Sequence, residues 1–295
     1  MIPSLRVSVW PSCDLACRYC HKEGNPHPGR HLQDREILEI IQAALPVGVV
    51  KIKITGGEPL LRPYLSDLMA QIIRWGVSLT LTTNGTRLSL WAAKLREIGL
   101  KRVGVSLDTL DPERFRQLCG VDNLASVIDG IHAARDARLP IELNTVLMRG
   151  VNEDEWENLT DFAKTIAARL QLIELSPAAQ SPEFYECHHV NLDYVEQVLQ
   201  EQGETLESVQ DPSDRPRYRF HGVEVSLCRV VDMNQTMSKR RQGLRLSADG
   251  KVYSFDYRQP CLADLAQAYR QGTRGKDLTR LWIHVGTMIN QNVPH

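Results

Sequence analysis

Residues 10–24 read WPSCDLACRYCHKEG and set three thiols, Cys13, Cys17 and Cys20, on one short stretch, with Tyr19 before the last. Thiolates this close together bind a soft metal or carry out thiol chemistry. The chain has seven cysteines, an odd number that a paired disulfide framework does not explain. In a reducing compartment, a cluster of three favours metal binding or catalysis. With His21 adjacent, the spacing alone also allows a structural zinc site. A second polar stretch, TGGEPLLR (55–62), joins Gly56 and Gly57, which permit close backbone approach, to Glu58, an acceptor. Further on stand Thr82, Thr83, Asn84 and Gly85, then Ser106 and Asp108, then Asn144, then Glu174, Ser176 and Pro177. Taken singly these are ordinary. Glycine pairs and Asn-Gly mark turns, and a Ser or Asn at a strand end is most often a local hydrogen bonder.

Their positions along the chain make them less ordinary. Apolar alternation predicts strands at 4–10, 49–55, 77–83, 101–108, 140–148 and 171–177. Between them, helical spacing predicts helices at 34–45, 64–76, 89–99, 123–138 and 154–170. Six strand–helix alternations imply an α/β fold with a parallel sheet, and right-handed crossovers curl it into a partial (βα)6 TIM-type barrel. Residues 1–180 form this core. Residues 181–295 form a small C-terminal α+β lobe on it, with a loop at PAAQSPEFYE, a helix at 191–202 and shorter strands over 216–262. Every polar oddity then falls near the C-terminal ends of the strands, where barrel active sites form.

Composition sets the bounds. At 295 residues and 42% hydrophobic the chain can bury a full core. A formal charge of −1 supplies no broad basic field, so nucleic acid is not an expected partner. The N-terminus lacks the pattern of a secretion signal and no apolar run is long enough for a membrane span, so a cytoplasmic protein is expected.

With the glycine motif added, the cysteine spacing and Tyr19 resemble the signature of the radical S-adenosylmethionine superfamily. TTNGTRL, VGVSLDTLDPERF, IELNTVLMRGVNEDE and LIELSP resemble one branch of it, the GTP 3′,8-cyclases of molybdenum cofactor biosynthesis. The resemblance implies that Cys13, Cys17 and Cys20 hold a [4Fe–4S] cluster with one iron left open. S-adenosylmethionine would chelate that iron. An electron from an external flavodoxin- or ferredoxin-type reductant would split it, giving a 5′-deoxyadenosyl radical that takes hydrogen from a substrate. By the same resemblance Tyr19 stacks near adenine, Glu58 accepts from the methionine ammonium, and Gly56, Gly57, Thr83, Asn84, Ser106 and Asn144 complete the cofactor site.

The tail departs from that branch. Its members carry a second cluster on a Cys-x2-Cys pair and a later cysteine, but here the pair falls on Ser238 and Arg241. Cys228 and Cys261 remain candidates for a second metal, and one cluster is expected. Cys119 reads as a small buried apolar residue. Lys51, Lys53 and Arg245 match cations that hold the triphosphate in the branch. Ser12, Glu142, Gln171 and Gly243 stand where the branch has cations. Glu174, Tyr253 and Tyr257 join the substrate candidates, with Arg240, Arg241 and Asp256 nearby. The expected substrate is therefore a small molecule, a nucleoside, sugar or related metabolite, carrying less negative charge than GTP and undergoing cyclisation, rearrangement or C–C bond change. The alternatives are authentic GTP cyclisation, peptide modification, and a zinc-stabilised binding protein without catalysis.

Overall fold

The computed structural model describes residues 2–20, 30–177, 181–206, 215–229, 243–254 and 260–291. Six parallel strands form its centre: β1 (Ser4–Ser8), β2 (Lys51–Thr55), β3 (Ser78–Thr83), β4 (Arg102–Ser106), β5 (Ile141–Leu147) and β6 (Arg169–Glu174). Each reads as alternation made physical. In β2, Ile52 and Ile54 are buried against the helices, while Lys51 and Lys53 take the opposite, concave face. The connecting helices are α1 (Asp34–Ala44), α2 (Leu65–Ile73), α3 (Leu88–Glu97), α4 (Pro112–Cys119), α5 (Leu124–Asp136) and α6 (Trp156–Thr165).

The chain after residue 180 builds onto both edges of this sheet. Helices α7 (Pro182–His188) and α8 (Asp193–Gln202) lead to β7 (Glu204–Thr205), β8 (Arg217–Phe220) and β9 (Val223–Cys228). Strand β9 pairs parallel with β6, and β8 folds back antiparallel on it. At the other edge β10 (Gly243–Leu246) pairs parallel with β1, followed by antiparallel β11 (Lys251–Tyr253) and β12 (Ala263–Asp264). The strand order is β12-β11-β10-β1-β2-β3-β4-β5-β6-β9-β8-β7. Helices α9 (Leu265–Arg270) and α10 (Gly275–Gln291) complete the shell, and α10 seats the wholly buried Trp282 on α1, its indole N–H donating to the Ile40 carbonyl at 2.9 Å.

Local chemistry explains where the elements depart from the sequence reading. Helix α4 was not expected; Asp111 caps it by accepting from the Arg114 N–H at 2.8 Å, Pro112 opens it, and Gly120 at φ 76° ends it. Helix α6 stops at Thr165, short of the expected 170, because Ala167 turns the chain at φ 52° and β6 begins at Arg169. Helix α7 stands in the expected loop, capped by the Ser181 hydroxyl.

Candidate active site at the C-terminal rim

The cysteine loop leaves β1 at the rim and is pinned from three sides. The Ala16 and Arg18 N–H groups donate to the Cys119 and Leu118 carbonyls, each at 2.9 Å, tying the loop to the end of α4. Asp14 accepts from Asn84 Nδ2 at 2.7 Å and Thr86 Oγ1 at 2.8 Å, which fixes the loop to the end of β3. Asn84 Nδ2 also lies 3.6 Å from the Cys13 sulfur. The Tyr19 hydroxyl donates to Asp108 beyond β4. Arg18 lies over the Phe184 ring of α7, 5.4 Å from its centroid.

The glycine motif closes onto the same loop. The Gly57 N–H donates to the Trp10 carbonyl at 2.7 Å and the Glu58 N–H to the Ser12 carbonyl at 2.8 Å. A Cβ on Gly57 would stand 2.3 Å from the Ser12 oxygen, and one on Gly56 2.6 Å from the Trp10 oxygen, so only glycine admits this approach. Arg62, buried at the end of the motif, donates to the Val9 carbonyl at 2.5 Å and to Asp34, holding the strand end from which the cysteines depart.

Glu58 ties the rim together from within. Its side chain is wholly buried and accepts from the Leu60 N–H at 2.8 Å, the Thr83 hydroxyl at 2.7 Å and the Asn84 N–H at 2.7 Å. It binds the β2 and β3 loop ends together and so positions the rim beside the cysteine loop. Burial pushes its carboxyl up to about 7, against the pull of its three donors. Burial likewise pushes Asp108 up to about 6, opposed by the bonds from Tyr19 and the Val146 N–H.

Ser106, Asn144 and Gln171 occupy neighbouring register positions on β4, β5 and β6. The Asn144 amide nitrogen lies 2.7 Å from where a Gly104 Cβ would be, so Gly104 makes its room. A second row crosses deeper in the barrel. Tyr253, Arg245, Arg6, Lys53, Thr80 and Arg102 are register neighbours on six adjacent strands. Arg6 was missed from the sequence, although its alternation with buried Leu5 and Val7 signals the concave face. Lys51 opens β2, exposed, on the same face as Lys53. Glu142 lies 3.5 Å from Arg102, so its charge is met within the barrel.

Glu174 needs correcting as a substrate candidate. It shares the outer face with buried Leu170 and Leu172, accepts from the Leu192 N–H at 3.2 Å and lies 3.7 Å from Arg229. Its work is to seat the start of α8. Tyr257, Asp256, Arg240, Arg241, Ser238 and His21 lie outside the described residues. Cys228 ends β9 and Cys261 precedes β12, near opposite ends of the strand order, and the Cys261 thiol donates to the Ala263 carbonyl at 3.2 Å. Among the described residues no three His, Cys, Asp or Glu side chains gather as a second metal set.

The donor set suits an iron–sulfur cluster. Cys13 is exposed, Cys17 and Cys20 are half-buried, and none is in a disulfide. Soft thiolates on one backbone-pinned loop, closed over by a glycine pair, are what such a cluster needs. The three thiols are not yet converged as a cage. Cys17 shares a hydrogen bond with buried Cys119, which together with burial pushes its thiol well up.

Residues 7–163 match the radical SAM superfamily. A probable GTP 3′,8-cyclase of Pyrococcus horikoshii is 34% identical over 290 residues, covering 95% of this chain and 92% of the relative. One from Methanococcus maripaludis is 36% identical over 274 residues, covering 92% and 91%. Among solved structures, Streptococcus suis SuiB bound to S-adenosylmethionine superposes with TM-score 0.65 at 17% identity, covering 91% of this chain and 65% of that one. Native anSMEcpe with bound AdoMet gives 0.63 at 18%, covering 93% and 79%. These two show the fold, a partial TIM barrel. The chain belongs to the radical SAM superfamily. Within it, the chain falls in the branch resembling the GTP 3′,8-cyclases, and it is an enzyme whose cofactors are a [4Fe–4S] cluster and S-adenosylmethionine.

Proposed function

We propose that this enzyme abstracts hydrogen from a small anionic metabolite, a nucleotide or sugar phosphate carrying less charge than GTP, and rearranges or cyclises it. The cluster and cofactor, when bound, supply one-electron cleavage of a carbon–sulfur bond and a carbon radical. Cys13, Cys17 and Cys20 would hold the cluster. Gly56 and Gly57 let backbone close over the cofactor, Tyr19 and Asp108 brace the loop beneath it, and Ser106 and Asn144 offer hydrogen bonds to its polar groups. The observation that carries the substrate reading is the row Arg245–Arg6–Lys53, three cations side by side on adjacent strands of the concave face. Guanidinium and ammonium groups so aligned suit phosphate oxygens. Beyond β3, Glu142 meets Arg102, and Glu224 lies 3.3 Å from Arg169 and 3.5 Å from Arg217. Ser12, Glu142, Gln171 and Gly243, standing where the resembled branch has cations, favour a smaller anion than a triphosphate. The setting is cytoplasmic, with a flavodoxin- or ferredoxin-type protein as reductant.

The test is 5′-deoxyadenosine release by anaerobically reconstituted enzyme offered neutral nucleosides, their monophosphates and GTP. Stimulation by monophosphates above both others supports the reading. Stimulation by neutral nucleosides alone overturns it. A second reading, GTP cyclisation itself, is favoured by the relatives' identity over nearly the whole chain. Conversion of GTP to a 3′,8-cyclised nucleotide would establish it.

A further inference from the structure

The shallower row of the barrel mouth continues past the cofactor residues. Ser106, Asn144, Gln171 and Ser226 are register neighbours on β4, β5, β6 and β9, and none of the four ionises. Alternation places Gln171 opposite Leu170 and Leu172, which are wholly buried toward the helices, and Ser226 opposite Val225 and Leu227. The row therefore lies on the concave face. Arg215 closes it. Its Nη1–H donates to Gln171 Oε1 at 3.0 Å, and the Leu227 N–H fixes the adjoining backbone by donating to the Pro216 carbonyl at 3.1 Å.

Other cations in this half have a carboxylate. Arg102 meets Glu142, Arg169 and Arg217 meet Glu224, and Arg229 lies 2.6 Å from Glu196 and 2.8 Å from Asp193. Arg215 bonds a buried neutral amide, and among the described residues no carboxylate lies within ion-pair distance of it. A half-buried guanidinium held this way has lost water and, among the described residues, gains no counter-charge. Most of its donors remain, in a fork that matches two oxygens of one phosphate or carboxylate.

We propose that Arg215 binds an anionic group of the substrate at the barrel mouth, with Gln171 orienting the guanidinium. The inference rests on the anionic-substrate reading above and adds a contact point to it, at the end of the row that begins with the cofactor residues. It also gives Gln171 a role: a neutral amide aims Arg215 without neutralising it, whereas a carboxylate there would consume it.

Inorganic pyrophosphate serves as the probe, its binding measured by equilibrium dialysis to the reconstituted enzyme with S-adenosylmethionine present. Arg215→Gln should weaken binding by about tenfold or more, the loss expected for one charged hydrogen-bonding group. Gln171→Glu, which supplies a competing carboxylate without removing Arg215, should weaken it comparably. Arg215→Lys, keeping charge but not the fork, should fall between. Lys53→Gln tests the underlying reading separately. If Lys53→Gln weakens binding while Arg215→Gln and Gln171→Glu do not, the Arg215 assignment is overturned and the anionic reading stands. If pyrophosphate does not bind, or no variant changes it, both fall.

Discussion

At Glu58, burial and hydrogen bonding pull in opposite directions, and burial wins. Its ordinary value is 4.5 and its folded value about 7. Within that window the folded chain keeps a proton that the unfolded chain has released. Stability therefore falls as pH rises toward 7 and levels off above it. Urea unfolding across the window should show this slope in the parent and a shallower one in Glu58→Gln. An unchanged slope would mean that Glu58 does not carry the proton. The thiols allow a second comparison. Cys17→Ala should lose iron and 5′-deoxyadenosine formation, whereas Cys119→Ala, which removes only the buried partner of Cys17, should retain iron. Iron loss in Cys119→Ala alone would reverse the two roles.

The rim loops work as elements because backbone meets backbone. Gly57→Ala would drive a methyl group to 2.3 Å from the Ser12 oxygen and force the cysteine loop away, so iron retention after desalting should fall while the far-ultraviolet circular dichroism stays. Gly104→Ala would press on Asn144 instead, and should weaken S-adenosylmethionine binding measured by calorimetry with iron content kept. An effect on iron and none on the cofactor would show that Asn144 lies outside the cofactor site. Strands, the order of alternation and the three thiols could be read directly from the sequence, because period-two apolar spacing and clustered cysteines are local signals. Asp14, Arg62 and Arg215 could not, since each matters through a partner far away in sequence: Asn84, Val9 and Gln171. Glu174 differs from the sequence reading for a related reason: the strand is legible in the sequence, but which face its last residue takes depends on packing against α8. Helix α4 is absent from the apolar pattern, and only Asp111-Pro112 announces its start.

For the molecule as a whole, the sheet's two edges are what the C-terminal third supplies. It adds β9 and β8 beside β6, and β10 to β12 beside β1, and helix α10 then locks onto α1 through Trp282. Trp282→Ala should cost about 3–5 kcal/mol by cavity formation, read as a lower urea midpoint. A midpoint unchanged within error would show that α10 contributes little to the fold. No helix among the described residues is long and apolar enough to cross a membrane. The same third of the chain bears on the expectation of a single cluster, since the sequence resemblance puts Ser238 and Arg241 at two positions where the cyclase branch would have thiols. Iron and acid-labile sulfide per chain, counted after anaerobic reconstitution, test this account most directly. About four of each, lost in Cys17→Ala, is the predicted result for a single three-cysteine [4Fe–4S] site. About eight of each, or zinc bound without sulfide, would contradict it.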